Sequence, residues 1–210
     1  MKNSVVVLGG GGHAKVVIEI LRAAGYQVNY CVGGEDSPAT CLDVPVLQGD
    51  EQLIKLREAG NSLLFPAIGS NRIRERATAH AVTLGFELVN AISPFAIISP
   101  SVVLGKGIAI MSGAIINAES HIEDLAIINT GATVDHDCRI GFCAHIAPQC
   151  ALAGNVTVGQ RAFLGISTTV IPDITIGDNT MIGAGGVVIS DIPSSTTALG
   201  HPARIFRKEQ

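Results

Sequence analysis

The sequence predicts an α/β N-terminal domain with a small parallel Rossmann-like sheet over residues 1–90, followed by a left-handed parallel β-helix over residues 91–210. Three observations lead to this fold class. Strand and helix signals alternate up to about residue 90, a six-residue period replaces them afterwards, and the composition favours small and aliphatic side chains. Hydrophobic residues make up 47% of the 210-residue chain and aromatic residues only 4%, with 24 glycines and no tryptophan. The core must therefore be built from aliphatic residues and alanine.

The first ninety residues alternate between strand and helix signals. Residues 4–8 form an apolar run that ends in glycines, and residues 13–26 carry apolar side chains at helical spacing. A loop follows the second strand, and Ser70 is expected to cap the last helix. Such alternation predicts a parallel sheet whose ligand crevice lies at the carboxyl ends of its strands. The remaining predicted segments are strand 27–32, helix 50–60, strand 62–69 and helix 70–85.

From Ile92 onward an aliphatic residue recurs at every sixth position. Stepping by six from Ile92 to Val188 meets only Ile, Leu and Val, without a slip in register. The residue four places after each aliphatic is mostly small, and the residue directly after it is often glycine. This pattern fills a narrow triangular prism, in which each hexad forms one face and three hexads form one coil. It predicts a parallel β-helix of hexapeptide repeats with about six coils, because a sandwich of strands would alternate with a period of two.

The charge and the cysteines exclude several classes of protein. A net charge of −4 at pH 7 without a long basic cluster gives no footprint for nucleic acid. Five cysteines without a CxxC pair fit reduced thiols better than a disulfide framework or a zinc site. We expect Cys138 and Cys150 to be buried thiols, because both occupy the small interior position of a hexad. The N-terminal apolar run is too short for a signal peptide or a membrane span, so we expect a cytoplasmic protein.

His136 is a candidate catalytic residue because a carboxylate flanks it on each side. It occupies a corner of its hexad that points away from the prism core, and Gly154 follows one coil later in the same column. A carboxylate bound to one ring nitrogen fixes the tautomer and raises the basicity of the other nitrogen. The spacing allows either Asp135 or Asp137 to do so. The alternative is a solvated corner histidine, and His145 is a second candidate.

The glycine-rich loop after the first strand resembles a dinucleotide site. Gly9, Gly11 and Ala14 satisfy the pattern G-x-G-x-x-A between a strand and a helix. Glu35 or Asp36 follows about 25 residues later, where such sites place an acidic residue. The motif alone is therefore also compatible with a catalytically silent scaffold or an NAD-binding module.

Stretches along essentially the whole chain resemble one family. These are GGGGHAKVV, AIGSNRIRER, INTGATVDHDCRIG, HIAPQCALAGNVTVG, FLGISTTVIPDITIG and GHPARIFR, together with the unbroken hexads. They are similar to sugar acyltransferases of the sialic acid O-acetyltransferase type. The nearest branch contains the bacterial enzymes that N-acetylate nucleotide-linked 4-amino-4,6-dideoxy sugars, of the bacillosamine and perosamine type. The resemblance implies an acetyl-CoA-dependent N-acetyltransferase, with O-acetylation of sialic acid or another sugar hydroxyl as the alternative.

The resemblance also implies how the molecule assembles. Family members are homotrimers in which acetyl-CoA lies between neighbouring β-helices and the N-terminal domain holds the nucleotide sugar. Outward apolar residues such as Ile115, Ile127 and Phe163 fit contacts between subunits. Relatives often carry a run of Asp after the second strand, whereas this chain has GGEDS, so the nucleobase of a UDP- or GDP-linked sugar stays open.

Roles for individual residues follow from the same resemblance. It makes His136 the general base and favours Asp137 over Asp135 as its partner, and it implies no metal. The Gly154 N–H would donate to the oxyanion, and Arg74 would contact a phosphate. The implied acetyl-CoA contacts are His145, Gly154, Ile166, Ala184, Gly200, Pro202 and Ala203. The implied nucleotide-sugar contacts are Gly11, Gly12, His13, Lys15, Glu35, Asp36, Gly69, Ser70, Asn71, Arg74 and Asn129.

Overall fold

A computed structural model of the chain describes residues 4–208. The chain divides into two compact units, with the boundary between Pro94 and Phe95. Within the described residues, no helix has both the length and the apolar character that crossing a membrane requires.

The first unit is an α/β domain whose strands and helices alternate along the chain. Its elements are β1 (Ser4–Leu8), α1 (Gly12–Ala23), β2 (Gln27–Gly33), β3 (Thr40–Cys41), β4 (Val44–Gln48), α2 (Glu51–Glu58), β5 (Leu63–Pro66), α3 (Asn71–Thr83), β6 (Glu87–Leu88) and β7 (Ala91–Ile92). Six strands form one sheet in the order β3-β4-β2-β1-β5-β6. Every neighbouring pair in this sheet is parallel except β3 and β4. The predicted parallel Rossmann-like sheet is confirmed.

The centre of this sheet is buried because helices pack against it. All five residues of β1 are buried, as expected for a central parallel strand that lies between helical layers. The turn after β1 requires glycine at one position. Gly9 has a φ of +123°, and a Cβ there would lie 2.6 Å from the carbonyl oxygen of Ala67. This close approach brings the end of β1 against the end of the neighbouring β5.

Three strands of this sheet, β3, β4 and the two-residue β6, have no counterpart in the sequence-based prediction. The strand β3 has only two residues, and β4 contains Pro45 at the edge of the sheet. Proline cannot donate to a ladder, and it is tolerated at position 45 because the pairing of β4 with β2 begins only at Val46. The predicted helices all occur, each a few residues shorter than predicted. Ser70 does precede α3, but its side chain makes no capping hydrogen bond.

The second unit is a left-handed parallel β-helix, as predicted. Its parallel strands form three faces, and residues 18 apart pair between neighbouring coils, for example Thr133 with Ala151. One face contains β8 (Ile97–Ile98), β11 (Ile115–Ile116), β14 (Thr133–Val134), β17 (Ala151–Leu152), β20 (Thr169–Val170) and β23 (Val187–Val188). The next contains β9 (Val103–Leu104), β12 (His121–Ile122), β15 (Arg139–Ile140), β18 (Thr157–Val158) and β21 (Thr175–Ile176). The third contains β10 (Ala109–Ile110), β13 (Ile127–Ile128), β16 (His145–Ile146), β19 (Phe163–Leu164), β22 (Met181–Ile182), β24 (Thr196–Leu199) and the antiparallel β25 (Arg204–Lys208).

The six-residue period determines both the core and the corners of the β-helix. The aliphatic residue of every hexad from Ile110 to Val188 is buried inside the prism. Every sixth residue from Gly107 to Gly185 has a left-handed backbone, with φ between 54° and 73°. These left-handed residues turn the chain from one face to the next. Cys138 and Cys150 are buried, as the hexad pattern predicts.

Candidate active site

His136 lies in the turn formed by residues 135–138, which joins β14 to β15. Its side chain is 59% exposed, so the ring projects from the corner of the prism. The Nδ1 atom lies 2.7 Å from Oδ2 of Asp137. Asp137 occupies the left-handed corner position with a φ of 61°. This backbone turn brings the carboxylate of Asp137 back against the ring of the preceding residue.

The other flanking carboxylate, on Asp135, is held by different partners. Its Oδ1 accepts a hydrogen bond from the backbone N–H of His136 at 2.8 Å. The same oxygen accepts a hydrogen bond from Nδ2 of Asn117, one coil below, also at 2.8 Å. Of the two carboxylates that the sequence leaves open, Asp137 is therefore the one that contacts the imidazole.

Both carboxylates influence the basicity of the imidazole. The hydrogen bond to Asp137 raises the pKa of His136 above its ordinary value, and the charge of Asp135 raises it further. Hydrogen bonds from Asn117 and from the His136 N–H hold the pKa of the Asp135 carboxyl below its usual range. The His136 ring is therefore a stronger base than a solvated histidine.

Gly154 lies one coil above and leaves its backbone open to the imidazole. A Cβ at this position would lie 2.5 Å from Cε1 and 2.7 Å from Nε2 of His136. The ring therefore packs against the bare backbone of Gly154, as the 18-residue stacking predicts. Within residues 4–208, neither the Gly154 N–H nor Nε2 of His136 has a hydrogen-bond partner. Nε2 of His136 thus lies against the backbone of Gly154.

His145 lies on a different face of the prism, in β16. It is only 8% exposed, and its ring meets that of Phe163 edge-on at a centroid distance of 5.1 Å. Its Nε2 lies 3.0 Å from Nδ2 of Asn129. The Asn129 Oδ1 accepts the N–H of Thr130, so Nδ2 must face the ring and donate to it. The structure thus pairs a predicted acetyl-CoA contact, His145, with a predicted substrate contact, Asn129.

The other residues predicted to line the acetyl-CoA site lie near the C-terminal end of the β-helix. Ile166 is 50% exposed, and its carbonyl accepts a hydrogen bond from Gly185, beside the exposed Ala184. Gly200 and Pro202 are also exposed. Ala203 is buried, and its N–H donates to the carbonyl oxygen of Val187 at 2.7 Å. The Ala203 methyl group lies in the interior, so a contact between Ala203 and acetyl-CoA stays a prediction that would involve its backbone.

The predicted nucleotide loops lie at the carboxyl ends of β1 and β2. Gly11 and Gly12 are exposed at the start of α1, and Lys15 is exposed in its first turn. Glu35 and Asp36 are exposed in the turn that follows β2. Neighbouring parallel strands end at the same edge of a sheet, so the two loops share the edge where such sheets bind ligands.

Arg74 occupies an unexpected position. It is fully buried, and its guanidinium donates to the carbonyl oxygens of Ile68 at 2.8 Å and Gly69 at 3.2 Å. It also donates to Oδ1 of Asn71 at 2.9 Å. The prediction that Arg74 contacts a phosphate is therefore wrong for this structure, because the guanidinium has no exposed surface. Arg74 instead supports the loop that carries Gly69, the exposed Ser70 and Asn71.

His13, in the first turn of α1, is half-buried. Burial, and then the positive charge of Arg74, lower the pKa of His13 to about 4. The ring is therefore neutral near pH 7. Its Nε2 is buried and has no hydrogen-bond partner among the described residues.

Two polar residues near His136 escaped the sequence analysis. Asn117 binds the carboxylate of Asp135, and the buried Ser120 donates to the Asp135 carbonyl oxygen at 2.7 Å. Asn117 precedes Asp135 by 18 residues, so the repeat itself indicates that the two side chains lie one above the other in neighbouring coils. Within residues 4–208, no group of three or more His, Cys, Asp or Glu side chains is arranged to bind a metal.

Two family descriptions match the chain. The PglD N-terminal domain matches residues 4–80, and the bacterial transferase hexapeptide, of six repeats, matches residues 155–190. Each match falls within a different one of the two compact units.

Known proteins are similar over nearly the whole chain. PerB from Caulobacter crescentus, solved with CoA and GDP-perosamine, is 57% identical, with 96% of each chain covered and a TM-score of 0.93. The acetyltransferase domain of PglB from Neisseria gonorrhoeae, solved with acetyl coenzyme A, is 36% identical, with 97% of this chain and 99% of that chain covered and a TM-score of 0.90. Both similarities include the α/β unit as well as the β-helix.

Curated relatives match over shorter stretches. GDP-perosamine N-acetyltransferase from Escherichia coli O157:H7 is 28% identical over 50% of this chain and 47% of its own length. The chain spans less than half the length of each curated relative that it matches. The full-length similarity to PerB is therefore the decisive comparison, and the chain belongs to the hexapeptide-repeat sugar acetyltransferases of the sialic acid O-acetyltransferase type, in the branch that contains perosamine N-acetyltransferase.

Proposed function

We propose that this chain transfers an acetyl group from acetyl-CoA to the 4-amino group of a GDP-linked 4-amino-4,6-dideoxy sugar. The observation that carries the proposal is the stacking of His136, held by Asp137, against the bare backbone of Gly154. Similarity to an enzyme solved with CoA and GDP-perosamine supports the choice of substrates. The sequence alone leaves UDP and GDP open, so this similarity is the reason for preferring GDP.

His136 serves as the general base in this reaction. Its Nε2 accepts a proton from the substrate amine as the amine nitrogen attacks the thioester carbonyl. A C–N bond forms, and collapse of the tetrahedral intermediate breaks the C–S bond. The proton on Nε2 then passes to the CoA thiolate, which returns His136 to its neutral form. General base catalysis of this kind contributes about 10²- to 10⁴-fold to the rate.

Asp137 orients the base, and Gly154 stabilises the negative charge that forms on the substrate. The carboxylate of Asp137 accepts a hydrogen bond from the Nδ1–H of His136, so the lone pair of Nε2 is available to the amine. The unpaired N–H of Gly154 donates to the oxyanion that forms on the thioester carbonyl. Removal of one such donor typically costs about 3 kcal/mol of transition-state stabilisation.

The nucleotide sugar is assigned to the α/β domain. The glycines at the start of α1 and the exposed Lys15 suit a diphosphate, because backbone N–H groups and the helix dipole favour anions there. Glu35 and Asp36 are assigned to the nucleobase. Their carboxylates match the ring N–H and amino donors of guanine.

The protein is proposed to act as a homotrimer. The outward residues of the face that contains β8 and β23 carry no charge, and they are Ile97, Ile115, Thr133, Ala151, Thr169 and Val187. Ile97 is 64% exposed, which is unfavourable in water and favours contact with another subunit. Ile127, expected to face outward, is buried and does not belong to this surface.

Product analysis tests the proposal. The protein is incubated with acetyl-CoA and, separately, with GDP-perosamine, a UDP-linked 4-amino-4,6-dideoxy sugar, and a GDP-linked sugar that carries a hydroxyl at C4. Mass spectrometry should detect an added acetyl group on GDP-perosamine. Acetylation of the hydroxy sugar alone would contradict the proposal in favour of O-acetylation. Tight binding of NAD without binding of CoA would instead indicate a dinucleotide-binding module.

A further inference from the structure

The two carboxylates beside His136 are symmetric in the sequence but not in the structure. We propose that Asn117 is a positioning residue that holds Asp135 away from the imidazole and so reserves Nδ1 of His136 for Asp137. The inference rests on the proposed function of His136 as the general base. Asn117, a residue of the neighbouring coil, would thus determine which of the two carboxylates contacts the imidazole.

A hydrogen bond between neighbouring coils joins Asn117 to Asp135. Asn117 and Asp135 are 18 residues apart, and the Asn117 backbone N–H donates to the carbonyl oxygen of Val134 in the coil above. This register brings Nδ2 of Asn117 to 2.8 Å from Oδ1 of Asp135. An amide Nδ2 can only donate, so it satisfies a carboxylate oxygen and offers the imidazolium no competing acceptor.

The same oxygen of Asp135 is bound by a second donor. Oδ1 of Asp135 also accepts the backbone N–H of His136 at 2.8 Å. Two donors fix the rotation of the carboxylate, because turning it toward the imidazole would break both hydrogen bonds. In the coil above, the same column contains Ala153, whose methyl group offers no donor. The restraint on the Asp135 side chain from a neighbouring coil thus comes from the side of Asn117.

The backbone of the turn is held independently of Asn117. The hydroxyl of Ser120 donates to the carbonyl oxygen of Asp135 at 2.7 Å and accepts the N–H of Cys138 at 3.2 Å. Ser120 thus connects both ends of the turn formed by residues 135–138. Loss of Asn117 should therefore leave the Asp135 carboxylate with one hydrogen bond instead of two and free it to rotate, without unfolding the turn.

The polar and charged residues in the column of Asp137 do not replace the hydrogen bond from Asn117. In the coil below, Glu119 occupies the column of Asp137, and in the coil above the same column contains Asn155. The amide of Asn155 donates to Asp173 at 2.8 Å, so that carboxylate is already bound. The interactions that raise the pKa of His136 come from Asp137 and Asp135 alone.

Release of Asp135 would give the imidazole two competing partners. The Asp135 carboxylate could then approach the ring, which would stabilise the protonated form and turn Nε2 away from its position beside Gly154. Both effects lower the rate at neutral pH, because less of the base is deprotonated and less of it is correctly oriented.

Titration of His136 by NMR tests this in the free protein, without any substrate. Four proteins are compared: the unmodified chain, Asn117→Ala, Asp135→Asn and the double variant. Asn117→Ala should shift the pKa of His136 upward. Asp135→Asn keeps the acceptor oxygen and removes the charge, so in that background Asn117→Ala should cause no shift. An unchanged pKa in Asn117→Ala, or an equal shift in both backgrounds, would overturn the proposal.

Kinetics provides the second measurement on the same proteins. Asn117→Ala should lower kcat about tenfold, which is part of what general base catalysis contributes, and leave the KM for acetyl-CoA unchanged. The control is Arg161→Ala, which removes another 18-residue side-chain bond, to Asn179, at a different corner. Arg161→Ala should leave kcat and the pKa of His136 unchanged. If Arg161→Ala lowered kcat as much as Asn117→Ala does, the role of Asn117 would be structural only. If the chain does not catalyse the proposed acetyl transfer, none of the proteins will show that activity. The shift in the pKa of His136 should still be measured by NMR.

Discussion

Asp137 provides both a left-handed backbone at the corner and a carboxylate for the imidazole. The Asp137→Asn substitution removes the carboxylate and keeps the backbone. The left-handed conformation of Asp137 is also adopted by asparagine at Asn155 and Asn179, so Asp137→Asn preserves the turn. We expect kcat to fall about 100-fold, since the base loses its fixed tautomer. His136 works in its neutral form, and the rate therefore rises with pH through its pKa. Because the hydrogen bond to Asp137 is the largest cause that raises this pKa, the rise should occur at lower pH in the variant.

The matched control for this variant is Asp173→Asn. Asp173 occupies the same column two coils above and has a left-handed backbone with a φ of 63°. The Asp173→Asn variant should leave both kcat and the pH–rate profile unchanged. Equal profiles for Asp137→Asn and the unmodified chain would contradict the assigned role of Asp137.

Gly154→Ala tests the close approach between the glycine backbone and the imidazole. The new Cβ would lie 2.5 Å from Cε1 of His136, so the exposed ring must move away. The rate should fall about 10²- to 10³-fold, because the base is displaced and the path to the oxyanion donor is obstructed. Thermal unfolding should change little, since the His136 ring can move into solvent. Retention of full activity would mean that the amine does not react beside Gly154.

His13 should make stability depend on pH. Its folded pKa of about 4 lies below the ordinary value of 6.5, so between these values the unfolded chain binds a proton that the folded chain excludes. Stability is complete above pH 6.5 and decreases as pH falls toward 4, in total by about 3 kcal/mol if one pKa unit corresponds to about 1.4 kcal/mol. Urea unfolding at a series of pH values measures this decrease. His13→Gln should flatten it, whereas substitution of the exposed His80 should not.

At the scale of the element, each coil depends on one aliphatic residue per face. Ile146 is fully buried in β16, between Ile128 and Leu164 of the neighbouring coils. Ile146→Ala should lower the free energy of unfolding by about 3 kcal/mol, because the rigid prism cannot collapse around the cavity. Arg139→Ala, on an exposed outward position of β15, should change it by less than about 0.5 kcal/mol. Urea denaturation compares the two, and equal losses would contradict this account.

The elements also show which features a sequence can predict. The β-helix and the stacking of His136 against Gly154 follow from an exact repeat, since a residue's column is set by counting. The strand β3 was missed because two residues carry no periodic signal, and Arg74 was misplaced because an arginine near a helix start does not reveal which way its side chain points. The choice of Asp137 over Asp135 depended on Asn117, a contact between coils that neither local propensity nor the local motif contains.

At the scale of the whole molecule, the proposed trimer gives a direct prediction. Ile97 is 64% exposed on the uncharged face of the β-helix. Ile97→Glu places a charge on this uncharged face, and burying that charge in a contact between subunits costs free energy, so the assembly should dissociate. Analytical ultracentrifugation should show trimers for the unmodified chain and monomers for the variant. A monomeric unmodified chain at micromolar concentration would contradict the proposal.

The left-handed corner residues restrict how the length of this protein can change in evolution. Insertion of a single residue would move every later corner out of its left-handed position and turn each buried aliphatic side chain outward. Addition or removal of one complete coil preserves both corners and core. Family members should therefore differ in their β-helices by multiples of eighteen residues, with other insertions confined to loops that leave and rejoin the prism at one corner.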